Sequence, residues 1–244
     1  MTEKPYDPHD YPPFAVTVDV VILTMVKKTL KILLIQRGQG PFRDAWALPG
    51  GFVLPDEDLR DAAVRELKEE TNISDDAIHL EQLGTYGSPE RDPRMRVVTV
   101  AYWAIVPNLD KPIGGGDARH AEVVPVAEIE SGRLRLAFDH EKILIDAIER
   151  MRSKMEYTNV ATNFFEDSFT VSEFRNVYEA AWDTELNPGN FQRKLQQSAD
   201  FLTPTGEKSP SESSGGRPAD LYKAGPEKDL SPPLKRSKPK KPGK

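Results

Sequence analysis

Cysteine is absent from the 244 residues, which excludes disulfides and thiolate metal sites. Long apolar runs are absent too. The longest, around VDVVILTMV, falls far short of the roughly 20 residues that cross a bilayer, so no membrane span is expected. The opening MTEKPYDPHDYPP is polar and proline-rich, without a secretory pattern, and points to a cytoplasmic protein. Positive charge is thin over one long region. Residues 155–224 hold 6 Lys and Arg against 11 Asp and Glu, whereas residues 225–244 hold 7 against 2. The basic charge is thus concentrated at the end of the chain, which bears on any nucleic-acid partner.

Periodicity is plentiful. AVTVDVVILTMV (15–26) and LKILLIQRG (30–38) are β-branched runs split by Lys-Lys-Thr, the pattern of a hairpin with buried strands. WALPGGFV, LEQLGTYGS and MRVVTVAYWAIVP read as further strands, and DARHAEVVPVAEI as a loop, strand and turn. FDHEKILIDAIERMRSKM has helical spacing, with Ile143, Ile145, Ile148 and Met151 as the expected stripe and Asp139 or His140 at its start. His140 reads as a helix-start capping residue rather than a base. Mixed strands with two helices predict a compact α+β domain.

From about residue 155 the signals change to helices: EYTNVATNFF, then SEFRNVYEAAWD behind a Thr170–Glu173 capping box, then NFQRKLQQS behind Asn187 and Pro188. FLTPTG and RPADLYKA flank a Ser/Gly-rich loop. Three helices followed by a long-tipped hairpin is the pattern of a winged helix-turn-helix. The expected organisation is an arm at 1–12, an α+β domain at 13–154, a winged domain at 155–224 and a disordered basic tail at 225–244.

The densest chemistry lies in GGFVLPDEDLRDAAVRELKEETNI (50–73). With Asp58 as N-cap, a helix places Glu66 and Glu70 one turn apart on one face, with Glu69 on its flank. Leu59, Ala63 and Leu67 form the opposite, buried stripe. Oxygen ligands on one face suit Mg²⁺ or Mn²⁺. The glycines allow close backbone approach, and Gly50 can lend a carbonyl to the metal.

This stretch resembles the Nudix box. The match runs through Gly51, Glu57, Arg65, Glu66, Leu67, Glu69, Glu70 and Ile73, with Asn72 in place of the final glycine. The resemblance implies that Glu66 and Glu70 hold divalent ions, that Glu69 lies close by, and that Arg65 braces Glu57 and Glu69. It also implies a diphosphate linked to a nucleoside as ligand or substrate. The segments SPERDPRMRVVTVAY and LAFDHEKIL resemble Nudix domains that handle ADP-ribose. Arg91, Arg94 and Arg96 supply planar donors for phosphate and ribose oxygens, and Arg37, Phe42 and Trp46 lie near the box. The order of the two domains resembles Nudix-related transcriptional regulators of NAD metabolism. That family implies ADP-ribose or a relative as ligand and a double-stranded DNA operator; a homodimer is expected because winged regulators match pseudo-palindromic half-sites with two-fold symmetry.

In NFQRKLQQS, Asn190, Gln192, Gln196 and Gln197 are placed to read base edges, Arg193 a guanine or phosphate, and Lys194 a phosphate; Arg217 lies in the wing. The alternative is an ADP-ribose pyrophosphatase with an accessory winged domain. Active relatives often carry a glutamate where this chain has His120, with Glu122 two residues on, which leaves the general base open.

Overall fold

Alternating side chains on one long strand divide the first half of the molecule into two faces. The computed structural model describes residue 7 and residues 11–71, 78–109, 118–210 and 218–236. On strand β1 (Ala15–Val26), Val18, Val20 and Ile22 pack with Ala62, Ala63 and Leu67 of helix α1 (Leu59–Thr71). Val21 and Leu23 turn to the other face and pack with Ile143, Leu144, Ala147 and Ile148 of the helix His140–Tyr157. The strand is buried on both sides, which is why it reads as an unbroken apolar run rather than an alternating one.

The sheet continues through β2 (Thr29–Arg37), β3 (Trp46–Ala47), β4 (Gly50–Phe52), β5 (His79–Tyr86), β6 (Val97–Ile105) and β7 (Ala118–Pro125). Its order is β3-β2-β1-β6-β5, with β4 added to β1 and β7 to β2. The β1–β6 pair is parallel and the other pairs are antiparallel. One edge of β1 is shared: β4 takes residues 17–19, while β2 takes 23–26. The two partners diverge, and a cleft opens where they part.

A short helix, α2 (Val126–Glu130), leads to α3 (His140–Tyr157). The buried stripe of α3 is Ile143, Leu144, Ala147, Ile148, Met151 and Met155. Ile145, expected on that stripe, is instead 48 % exposed, because two positions past Ile143 is more than half a turn around a helix. Tyr157 still belongs to α3, so the boundary expected at 154/155 falls inside a continuous helix. The expected short helix that follows is a 3₁₀ segment, Asn159–Phe164.

Beyond it lie β8 (Phe169–Thr170), α4 (Val171–Trp182), α5 (Pro188–Gln197), β9 (Leu202–Lys208) and β10 (Asp220–Ala224). The Thr170 hydroxyl accepts from the Glu173 N–H, and the Glu173 carboxylate accepts from the Thr170 N–H, so the capping box is complete. Asn187 caps α5, with Pro188 at its first turn. The three short strands form a sheet of order β8-β10-β9. Phe169, Phe174, Tyr178, Trp182 and Phe191 build an aromatic core, with ring centroids of consecutive pairs about 5 Å apart.

The tail corrects the expectation of disorder from residue 225. Residues 225–236 run back along α3: the Leu230 N–H donates to the Tyr157 carbonyl and the Leu234 N–H to that of Glu156, both at 2.8 Å. Leu230 and Leu234 are buried, and Arg236 pairs with Glu149. Two leucines at a four-residue interval gave this segment an apolar anchor that its proline and lysine content concealed.

Candidate functional site

Helix α1 starts where the sequence indicates, with Asp58 Oδ1 accepting from the Arg60 N–H at 3.4 Å. The buried stripe fixes the helix against β1 and aims the other face at the cleft. Arg65 is the clasp of that face. Its Nη2 and Nε hold the two Glu57 oxygens at 2.7 and 3.1 Å, and Nη2 also donates to the Phe52 carbonyl. Its Nη1 lies 2.6 Å from Glu66 Oε1 and 3.7 Å from Glu69 Oε1. Glu57 also accepts from the Leu54 N–H, so the loop before α1 is closed on itself. The Arg65 bonds hold the Glu57 carboxyl below its ordinary pKa. Burial outweighs the same guanidinium at Glu66 and pushes that carboxyl up. The Glu66 carboxylate packs directly on strand β4: a Cβ on Gly51 would stand 2.3 Å from its Oε1. The side chain of Glu70 lies outside the described residues.

The cleft is a cavity of about 390 Å³. Thr17 and Asp19 of β1, Ile35 and Arg37 of β2, Gly50, Gly51 and Phe52 of β4, and Glu66 and Glu69 of α1 all line it. Arg91, Asp92 and Arg94 close it from the loop after β5, and Phe138 and His140 from the start of α3. Arg37 stands over the Phe138 ring at 4.7 Å, and Arg94 lies between Phe52 (5.6 Å) and Phe138 (5.9 Å). Phe138 takes a positive φ of 54°, an uncommon backbone state for an aromatic residue and a sign of local constraint. Asp92 holds Arg94 by two bonds of 3.0 and 2.7 Å, which lower the Asp92 carboxyl and raise the guanidinium.

Of the six residues expected to meet a ligand, Arg37, Arg91 and Arg94 line the cavity. The Nε and Nη2 donors of Arg91 are directed at Asp139 and Asp19, and its side chain is 4 % exposed. Phe42 packs edge-on against Phe138 and Trp46 lies 6.0 Å from His120; neither is a lining residue. Arg96 bonds the Ser88 carbonyl and covers Phe14, also away from the cavity. Phe52, Asp19 and Phe138 carry no local sequence signal as site residues, although Phe138 sits inside the LAFDHEKIL segment of the ADP-ribose-type resemblance.

His140 departs from the capping role. It is buried, and its Nδ1 accepts from the Leu48 N–H at 2.9 Å, while Asp139 occupies the N-cap without a side-chain cap bond. His120 and Glu122 pair with Gln36 and Leu34 of β2, and neither lines the cavity.

The other surface of interest is α5. Phe191 and Leu195 are buried against α4, which leaves Asn190, Gln192, Arg193, Gln196 and Gln197 exposed and Lys194 half-buried. Arg193 Nη2 donates to Asn190 Oδ1 on that face. Arg217 lies outside the described residues.

These two surfaces have counterparts in known proteins. Residues 13–147 match the NUDIX domain family and residues 161–224 the NrtR DNA-binding winged helix domain. The "ADPR responsive transcriptional repressor NtrR" of Acinetobacter baylyi is 36 % identical over 220 residues, covering 89 % of this chain and 85 % of that one. This chain belongs to the NrtR-type Nudix regulators. The Shewanella oneidensis NrtR crystallised with a 27mer DNA superposes with a TM-score of 0.76 at 32 % identity, over 90 % of this chain and 99 % of that chain. The NUDIX domain of the same NrtR, complexed with ADP ribose, gives 0.53 at 35 % identity over 60 % and 94 %.

The cavity is rich in oxygen donors, and the residues present fit a hard divalent cation. Glu66 is a buried carboxylate whose charge is only partly offset by Arg65; Glu69 and the Gly50 backbone line the same cavity. Among the described residues, no three His, Cys, Asp or Glu side chains form a ready metal cluster. No described helix is long and apolar enough to cross a membrane.

Proposed function

We propose that this protein is a DNA-binding transcriptional repressor of NAD metabolism whose Nudix cavity takes ADP-ribose or a closely related nucleoside diphosphate. One observation carries the reading. A single chain joins a cavity lined by arginines, aromatics and box carboxylates to a recognition-type helix with an exposed polar face. A hydrolase alone has no use for the second part. The relatives that are ADPR-responsive or bind ADP ribose and DNA support the same assignment. Arg37 and Arg94 supply fixed donors for diphosphate oxygens, and Phe52 and Phe138 supply faces for a base. Mg²⁺ or Mn²⁺ held by Glu66, Glu70 and the Gly50 carbonyl would neutralise the diphosphate charge. Asn190, Gln192, Arg193, Lys194, Gln196 and Gln197 would face the operator, with Arg217 in the wing. A cytoplasmic homodimer matches two operator half-sites by its own two-fold symmetry.

The test is fluorescence anisotropy with duplex DNA from upstream of the protein's own gene, titrated with and without ADP-ribose and Mg²⁺. Sequence-selective binding that weakens with ADP-ribose is expected. Glu66→Gln should raise the ADP-ribose concentration needed by at least about tenfold, the cost of a lost charge-assisted interaction. Equal affinity for operator and random DNA, with or without ligand, would remove the proposal.

A second reading is hydrolysis in the same cavity. It is favoured by the Glu57–Arg65–Glu66–Glu69 assembly, which is the bracing a hydrolytic box requires. Water would attack one phosphorus, and the P–O bond of the bridging oxygen would break to give AMP and ribose 5-phosphate. His120 and Glu122 do not line the cavity, so neither stands ready as a base for that water. AMP release from ADP-ribose, compared between the wild type and Glu66→Gln, decides the matter; equal traces from both would eliminate catalysis.

A further inference from the structure

A buried cluster beneath the cavity ties its walls together at one point. Arg91 Nη2 lies 3.1 Å from Asp19 Oδ2 and 2.8 Å from Asp139 Oδ1, and its Nε lies 3.1 Å from Asp139 Oδ2. His140 Nε2 stands 3.5 Å from Asp19 Oδ1, and its Nδ1 accepts from the Leu48 N–H. Since Nδ1 accepts, the ring proton is on Nε2, facing Asp19. Asp19 itself lies against the Gly50 backbone, where a Cβ would come within 2.9 Å of Oδ1. Four lining segments thus meet here: β1, the Leu48–Gly51 turn, the Arg91 loop and the first turn of α3.

The same helix ends in the other domain. Arg152 lies 12 residues beyond His140, roughly 18 Å along the axis. Its Nε donates to the Ala181 carbonyl at 2.6 Å, and the Trp182 indole N–H donates back to the Arg152 carbonyl at 3.3 Å. Met151 and Met155 are buried in the same core as Phe174 and Trp182. A single rigid element therefore has its first turn in the cavity wall and its later turns in the winged core.

We propose that the Asp19–Arg91–Asp139–His140 cluster is the relay between the two domains, with His140 as the positioning residue. It fixes the Leu48–Gly51 turn to α3, and α3 carries a ligand-induced shift of that turn to Trp182 and α4. The inference rests on the reading of the cavity as the ADP-ribose site. Allosteric coupling is a ratio of affinities, so the quantity to measure is operator Kd with saturating ADP-ribose divided by operator Kd without it. Ratios of about 5 to 150 are usual.

The experiment uses the full chain with His140→Leu, His140→Asn, Arg152→Gln and the Leu/Gln double variant. Asn places an oxygen where Nδ1 was and preserves the bond from Leu48. His140→Leu is expected to bring the ratio down at least about fivefold, towards 1, whereas His140→Asn stays within about twofold of wild type. Arg152→Gln, which touches neither ligand, should also lower the ratio. The double variant should do no worse than the weaker-coupled single, because both cut one path. A wild-type ratio in His140→Leu, an Asn variant as defective as Leu, or effects that multiply would each overturn the relay. If His140→Leu does not fold, an Arg152→Gln protein with the wild-type ratio overturns it instead. A wild-type ratio of 1 would mean that ADP-ribose is not the signal, and the relay falls with the functional reading; a normal wild-type ratio with an unaffected variant sinks the relay alone.

Discussion

The two halves of the molecule solve opposite problems with charge. The Nudix half draws charge inwards: Arg91 and Asp19 are 4 % and 9 % exposed at the floor of a concave site. The winged half keeps charge outside and fills its interior with Phe169, Phe174, Tyr178, Trp182 and Phe191. A small polyanionic ligand is held by donors fixed before it arrives, and burial keeps them fixed. A duplex is broad and must be met by an exposed face, so rigidity there has to come from beneath the helix. Part of the acidic balance of residues 155–224 is used inside the domain: Glu173 is in the capping box, and Glu179 pairs with Arg175 and accepts from the Leu186 N–H.

The comparison is broken most severely by removing its apolar side. Phe174 touches Phe165, Phe169, Tyr178 and Phe191, and Phe174→Ala should cost about 3–5 kcal/mol in urea unfolding. Operator binding should be lost with it. Since the aromatic cluster and the α3 face of the sheet form one continuous core, unfolding should remain a single transition. Two separated transitions would show that the halves are energetically independent, contrary to the shared core.

A smaller effect sharpens the other side of the contrast. Replacing Arg193 and Lys194 together by Ala leaves the core intact, because Arg193 is exposed and Lys194 only half-buried, while Phe191 and Leu195 fill the buried side of α5. Operator affinity should drop by about 1–3 kcal/mol, and the slope of log K against log salt should flatten by about 1 to 2. ADP-ribose affinity of the free protein should stay unchanged. An unaltered salt slope would place the DNA on another surface.

Much of this was legible in sequence because local rules suffice for it. The Thr170–Glu173 box, the Asn187–Pro188 start and the Asp58 helix start each concern residues a few positions apart. The box carboxylates were legible for the same reason, their spacing being fixed by one helix. What sequence concealed is contact across the chain. Arg91 meets Asp19 and Asp139 across separations of 72 and 48 residues, and no local pattern reveals that its donors are engaged. His140 shows the same limit: at a helix start it reads as a cap, yet its partner is Leu48, 92 residues away. The tail was hidden differently, since Leu230 and Leu234 are too few for a periodicity test but enough to anchor a segment on a waiting helix.

The smallest expected effect concerns pH and tests whether burial in the Nudix half has the cost it implies. Burial lowers the His140 pKa below the ordinary value of about 6.5, against the pull of Asp19. The unfolded chain therefore takes up this proton first, so the contribution is complete above about pH 6.5 and is lost as pH falls below it. His79, half-buried and also lowered by that burial, acts in the same direction. Glu66, raised by burial in the metal-free protein, acts in the opposite one, because the folded state then gains a proton more readily. Glu57 and Asp92, both lowered by arginine bonds, contribute only nearer the carboxylate range. The informative quantity is thus the difference between proteins. The fall in urea midpoint from pH 7 to pH 5 should be shallower in His140→Asn, which keeps the Leu48 bond but cannot titrate. It should not vanish, because His79 remains. Identical slopes for wild type and His140→Asn would mean that His140 is as easily protonated in the fold as out of it, and that the floor of the cavity is open to water rather than sealed by α3.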